Sequence, residues 1–193
     1  EVLRYPGDQC VVPLAVAMGN HDAGGYQWAG ASAYATQSAR AAHSAFYSKY
    51  YPQSSVAVTP TPSEDAHAND WTSTLNTRVI GGVLGWTTLD TGHVFALDAG
   101  QARYMRASLT YMRDTARVPA IVLYHVPSYP SVRQSDASSK KVDSAAVRQV
   151  FGPLLDEFDD VVTLVFENHD HAYKRTHRIR GEAVVPVTGA GGR

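Results

Sequence analysis

The chain has 193 residues, and 17 Lys plus Arg against 18 Asp plus Glu leave a formal net charge of −1 with histidine neutral. That length predicts one domain, two at most, and an apolar share of 44% with 18% charged residues excludes intrinsic disorder. Balanced charge argues against a protein that grips nucleic acid. No apolar run is long enough for a membrane span, and the one cysteine, Cys10, excludes a disulfide framework or a four-cysteine zinc site.

In chain order, Val11–Met18 is a short apolar run ended by Gly19 and reads as a buried strand. A glycine-rich loop follows to Gly30. The Ala-rich stretch from Ser32 to Tyr50 suits a helix, with Ser32 as its cap. Residues 51–78, with Pro52, Pro60 and Pro62, read as a long irregular excursion. Gly82–Asp90 and His93–Asp98 flank a Thr91-Gly92 turn and predict a hairpin. Tyr104, Met105, Leu109 and Met112 predict a helix over Gln101–Arg117. Pro119–Tyr124 predicts a second buried strand, followed by a loop to about Lys141. A helix from its cap Asp143 to Phe158 follows, broken or kinked at Gly152-Pro153. Val161–Phe166 predicts a third buried strand and Glu182–Val187 a last one, before the glycines Gly189–Gly192. Strands alternating with helices predict an α/β protein with a largely parallel sheet.

Three of the apolar strands run into polar, ligand-type residues: Gly19-Asn20-His21-Asp22, His125-Val126-Pro127, and Glu167-Asn168-His169-Asp170-His171. Loops beyond the carboxyl ends of parallel strands share one sheet edge and form the usual binding crevice. Residues more than a hundred positions apart can therefore converge. Histidines with an asparagine carbonyl, and no thiolate, suit zinc, manganese or iron. In an extended segment His169 and His171 point to the same side. Asp22, Glu167 and Asp170 are candidates for accepting the second imidazole nitrogen of a ligand histidine. Taken singly, each group is an ordinary turn or loop feature; three at strand ends argue for a metal site. His43, His67, His93 and His177 lack such neighbours and are read as structural. Gly189–Gly192 follows a strand with no helix after it and reads as a plain tight loop. Neither a Walker lysine motif nor a G-x-S-x-G elbow occurs.

These blocks resemble those of the calcineurin-like metallophosphoesterases. Gly19-Asn20-His21-Asp22 resembles the GNH[DE] block. His125-Val126-Pro127-Ser128-Tyr129 is similar to the H-x-P-x-Y form found in purple acid phosphatases. Asn168 to Thr176 is similar to the GHxHAYERT block of that subgroup, and Val187–Gly192 to the strand and glycine turn after it. The blocks occur in the family's order from Gly19 to the C-terminus. The resemblance implies an α/β/β/α sandwich with mixed, largely parallel sheets, and residues 1–193 as a partial catalytic domain. It implies a metal-dependent phosphoric ester hydrolase of the acid phosphatase kind, acting on phosphomonoesters through hydroxide held between two metals, iron with zinc, manganese or iron. Asn20, His125 and His169 would bind one metal and His171 the other. His21 would contact the phosphoryl group or protonate the leaving oxygen, and Asp22 would orient His21. Secretion would follow from the same subgroup. The expected partner is a phosphate ester, not a nucleic acid or a membrane.

The sequence departs from the pattern in four places. Asn168 stands for the usual glycine of GHxH, Lys174 for the usual Glu, and Asp22 for the Glu usual in the subgroup. The D-x-[GH] and GDxxY blocks that supply the bridging aspartate are absent. Gly7-Asp8 lies only 12 residues before Asn20 and has no tyrosine at the right place, so Asp8 is not taken as a ligand. With Glu1 as its first residue, the chain is expected to be a processed or excised piece lacking the first βαβ portion. It is then expected to hold at most one metal. The alternatives are a non-catalytic metal- or phosphate-binding α/β module, and a phosphodiesterase or nucleotidase of the same family.

Overall fold

The structure, a computed structural model, describes residues 3–4, 11–12, 15–22, 47, 49–51, 74–94, 97–130 and 144–176. A two-stranded antiparallel ribbon pairs β1 (Leu3–Arg4) with β2 (Val11–Val12). The main sheet has four strands in the order β3 (Asn76–Ile80), β4 (Leu84–Thr88), β5 (Ala120–Tyr124), β6 (Val162–Glu167). The first pair is antiparallel and the other two are parallel. The chain is therefore α/β with a mixed sheet, and the carboxyl ends of β4, β5 and β6 share one edge.

The β3–β4 hairpin turns at Gly81-Gly82. Both have positive φ, 57° and 70°, and the Val83 N–H returns to the Ile80 carbonyl at 3.0 Å. Two consecutive left-handed residues match the twist of the flanking strands, and glycine adopts them without strain. This corrects the expected hairpin about Thr91-Gly92. Residues 89–94 form no strand, and the segment that does pair with β4, Asn76–Ile80, begins within the last three residues of the expected 51–78 excursion. The Gly-Gly signal was the stronger one, because Gly92 alone supplies a single positive φ.

Helix α1 (Ala99–Thr110) is capped by Asp98, whose carboxylate accepts from the Gly100 and Gln101 N–H groups. A π-helical turn, Tyr111–Ala116, continues it and ends at Arg117, which adopts φ 54°. Helix α2 (Ser144–Glu157) runs unbroken through Pro153, so of the expected break or kink at Gly152-Pro153 the break does not occur. Val147, Phe151 and Leu154 bury one stripe on both sides of the proline, and that packing outweighs one missing helical hydrogen bond.

The core lies between these helices and one face of the sheet: Met105, Leu109 and Met112 from the first helical unit, Phe151 and Leu154 from α2, Val122 and Tyr124 from β5. β5 alternates buried and half-buried positions, the period-two pattern of a strand facing helices on one side. Gly85 in β4 makes room for Met112, whose Sδ would lie 2.8 Å from a Cβ there. Among the described residues of Val11–Met18, only Val11–Val12 are strand, and 15–19 lead irregularly to the sheet edge. Most of the expected Ser32–Tyr50 helix, Asp143, Glu182–Val187 and Gly189–Gly192 lie outside the described residues. No described helix is long and apolar enough to cross a membrane.

Candidate metal centre

Three loops meet at the carboxyl edge. The Asn168 N–H donates to the His125 carbonyl at 3.0 Å, so the loop after β6 lies directly on the loop after β5. Gly19 lies flat against the His125 imidazole: a Cβ on it would stand 3.0 Å from Cε1 and 3.1 Å from Nδ1. A side chain on Gly19 would press on the ring, so glycine lets the backbone before Asn20 lie against His125 without displacing it. The Gly19–Asp22 turn is closed from both sides, by the Asp22 N–H to the Gly19 carbonyl at 3.1 Å and by the Gly19 N–H to Asp22 Oδ2 at 2.8 Å.

As a result, Asn20, His125 and His169 converge. Asn20 Oδ1 lies 2.8 Å from His125 Nε2 and 3.2 Å from His169 Nδ1, and the two nitrogens are 2.9 Å apart. These residues are 105 and 149 positions from Asn20 in sequence. Asn20 and His169 are each only 5% exposed, and His125 is half-buried. Three donors about 2.1 Å from one cation stand about 3.0 Å apart at octahedral angles and about 3.4 Å apart at tetrahedral ones. The observed sides of 2.8, 2.9 and 3.2 Å are nearer the octahedral spacing, and the three atoms are a carbonyl oxygen and two imidazole nitrogens, a set that suits zinc, manganese or iron. Among the described residues no group of three or more His, Cys, Asp or Glu side chains is arranged to hold a metal; here one of the three donors is an amide.

His171 does not join the triangle. His169 and His171 both adopt left-handed backbone, φ 63° and 52°, so the segment is not extended. The extended segment on which the same-side expectation rested is therefore absent; His169 is buried and His171 is exposed. Asn168 has no positive φ, so its backbone does not call for glycine. His21 is exposed at the tip of the Gly19–Asp22 turn, beside Asn20. The Asp22 carboxylate goes to the turn backbone rather than to the His21 ring.

The other two carboxylates expected behind the histidines brace the loops instead. Glu167 Oε1 accepts the Tyr124 hydroxyl at 2.6 Å and the Ser128 N–H at 2.9 Å. Burial, and then the Glu167 charge, push the Tyr124 phenol well above its ordinary 10.0. Asp170 Oδ2 pairs with Lys174 Nζ at 2.8 Å in a nearly closed environment, and the same ammonium donates to the Tyr129 carbonyl at 2.9 Å. Lys174, in place of the usual Glu, thus ties the loop after β6 to the loop after β5. Arg148 of α2 donates to the Ser128 carbonyl at 2.6 Å.

One residue taken as structural sits beside the site. His93 is 3% exposed, and its ring meets that of His125 at a centroid distance of 5.2 Å. A positional signal existed: it follows a strand whose carboxyl end lies at the same edge. No family model and no curated protein sequence matches the chain.

Proposed function

We propose that the chain is the metal-holding part of a metal-dependent phosphoric ester hydrolase, similar to the calcineurin-like metallophosphoesterases and to their purple acid phosphatase subgroup. The observation that carries this reading is the Asn20–His125–His169 triangle, with sides of 2.8, 2.9 and 3.2 Å drawn from three separate loops. The resemblance assigned those same three residues to one metal. The α/β/β/α sandwich belongs to the proposal; the described mixed sheet is compatible with it.

Asn20 Oδ1, His125 Nε2 and His169 Nδ1 would hold the cation. A bound metal of this kind neutralises phosphoryl oxygens and lowers the pKa of water toward about 7. His21, exposed one residue beyond Asn20, is placed to meet a substrate from solvent and to donate a proton to the departing oxygen. The turn closed by Asp22 holds His21 and Asn20 in fixed relation. The Lys174 and Glu167 braces hold the two histidine loops together, so that substrate meets donors already in place.

The triangle contains no carboxylate. Two neighbouring cations would repel each other strongly in a partly dry site, so the chain by itself takes one metal and turns over little substrate. The test is a p-nitrophenyl phosphate assay on a polypeptide that joins this chain to D-x-[GH] and GDxxY blocks. Metal-dependent hydrolysis is expected, and His21→Ala should lower turnover about 10²–10⁴-fold without loss of metal. No hydrolysis by the metal-loaded polypeptide would leave the non-catalytic metal-binding module as the reading.

A further inference from the structure

We propose that His93 is a positioning residue for His125, holding its imidazole at the angle where Nε2 meets Asn20 and His169. The inference rests on the metal reading only for its consequence in binding; the geometry stands by itself.

The His125 ring is confined on several sides. Gly19 backs three of its atoms at 3.0 to 3.3 Å from where a Cβ would be. His169 meets it at 4.9 Å between centroids and 80°, and His93 at 5.2 Å and 64°. The second torsion of a histidine is broad, so a ring is fixed only by what surrounds it. His93 is itself fixed. The fully buried Asp90 accepts the His93 N–H at 2.7 Å and the Val94 N–H at 2.9 Å, and the Asp90 N–H donates to Gln101 Oε1 of α1 at 3.2 Å. The same loop also holds the backbone beside His125: Thr91 Oγ1 accepts the Val126 N–H at 3.1 Å and lies 3.4 Å from His93 Nε2. The loop after β4 therefore braces both the ring of His125 and the chain that carries it. The ring of His93 meets the ring of His125, and it is through that ligand that it acts on the site.

The test combines a zinc titration with NMR of the metal-free protein, each variant being checked for the wild-type circular dichroism spectrum. His93→Ala should weaken zinc binding about tenfold, the lower end of losses on removing residues behind metal ligands. His93→Phe keeps a ring edge and should regain most of the affinity. His93→Asn can reach Thr91 but has no ring, and should not. In the metal-free protein the His125 ring signals should broaden in His93→Ala and sharpen again in His93→Phe. The wild type should show a nuclear Overhauser contact between the two rings, which needs no substitution; its absence overturns the proposal. Unchanged zinc affinity and unchanged His125 signals in His93→Ala overturn it while leaving the metal site intact. Broadening of His125 in a protein that takes up no zinc supports the positioning role and removes the proposed function instead.

Discussion

His125 Nε2 and His169 Nδ1 face each other at 2.9 Å on rings inclined by 80°, with Asn20 Oδ1 within 3.2 Å of both. With both rings neutral and the amide oxygen facing them, hydrogen bonding satisfies this triangle only in part. The amide oxygen only accepts, and a neutral imidazole carries one N–H. If both rings aim their N–H at Asn20, the two N–H groups oppose each other. If one ring donates to the other, a nitrogen lone pair opposes the amide oxygen. A cation reverses the sign of the mismatch, since all three atoms then offer lone pairs to it.

Gly19→Ala should disable the site while sparing the fold. The added Cβ would stand 3.0 Å from His125 Cε1, so the ring must give way. A displaced ligand should cost about 10–100-fold in metal affinity, the range for changes just behind metal ligands. Competition with a chelator measures this. Wild-type affinity in the variant would show that the ring has room to move.

Lys174→Met should lower stability by about 3 kcal/mol or more, because it leaves the buried Asp170 carboxylate without its cation. The double variant Asp170→Asn with Lys174→Met should regain part of the loss. Urea denaturation reads both. A single variant within about 0.5 kcal/mol of wild type would mean that the pair contributes no more than an exposed one.

Tyr124 predicts a limit at high pH. Its folded pKa is raised above 10.0, so above about pH 10 the unfolded chain loses a proton that the folded protein keeps. This stability is present below pH 10 and falls as pH rises further, by up to about 1.4 kcal/mol per pH unit. Tyr124→Phe should reduce that slope, although it gives up the hydrogen bond to Glu167 at neutral pH. Denaturation curves from pH 8 to 11 on both proteins test it; equal slopes would contradict the assignment.

What the sequence discloses depends on how local the signal is. The α1 stripe of Tyr104, Met105 and Leu109, and the apolar runs of β5 and β6, follow from period and composition, and each is where expected; β6 is not the buried strand its composition implied, since Leu164 and Phe166 are exposed. The Asn20, His125 and His169 loops were legible because every one ends an apolar run. The extended backbone assumed between His169 and His171 is not found, because left-handed φ at both residues depends on how the loops pack. His93 reads as structural in sequence because no ligand-type block surrounds it, and its approach to His125 depends on how the loop after β4 packs on the loop after β5. The Asp170–Lys174 pair is four residues apart in a non-helical loop, where spacing alone implies no contact.

The central claim is that one cation sits among Asn20, His125 and His169. The most direct measurement is elemental analysis of the dialysed chain after exposure to zinc, manganese or ferrous iron, beside Asn20→Leu, His125→Ala and His171→Ala. One tightly held metal per chain, lost in Asn20→Leu and His125→Ala and retained in His171→Ala, is the predicted result. No metal in the wild type, or metal that survives His125→Ala, would contradict it.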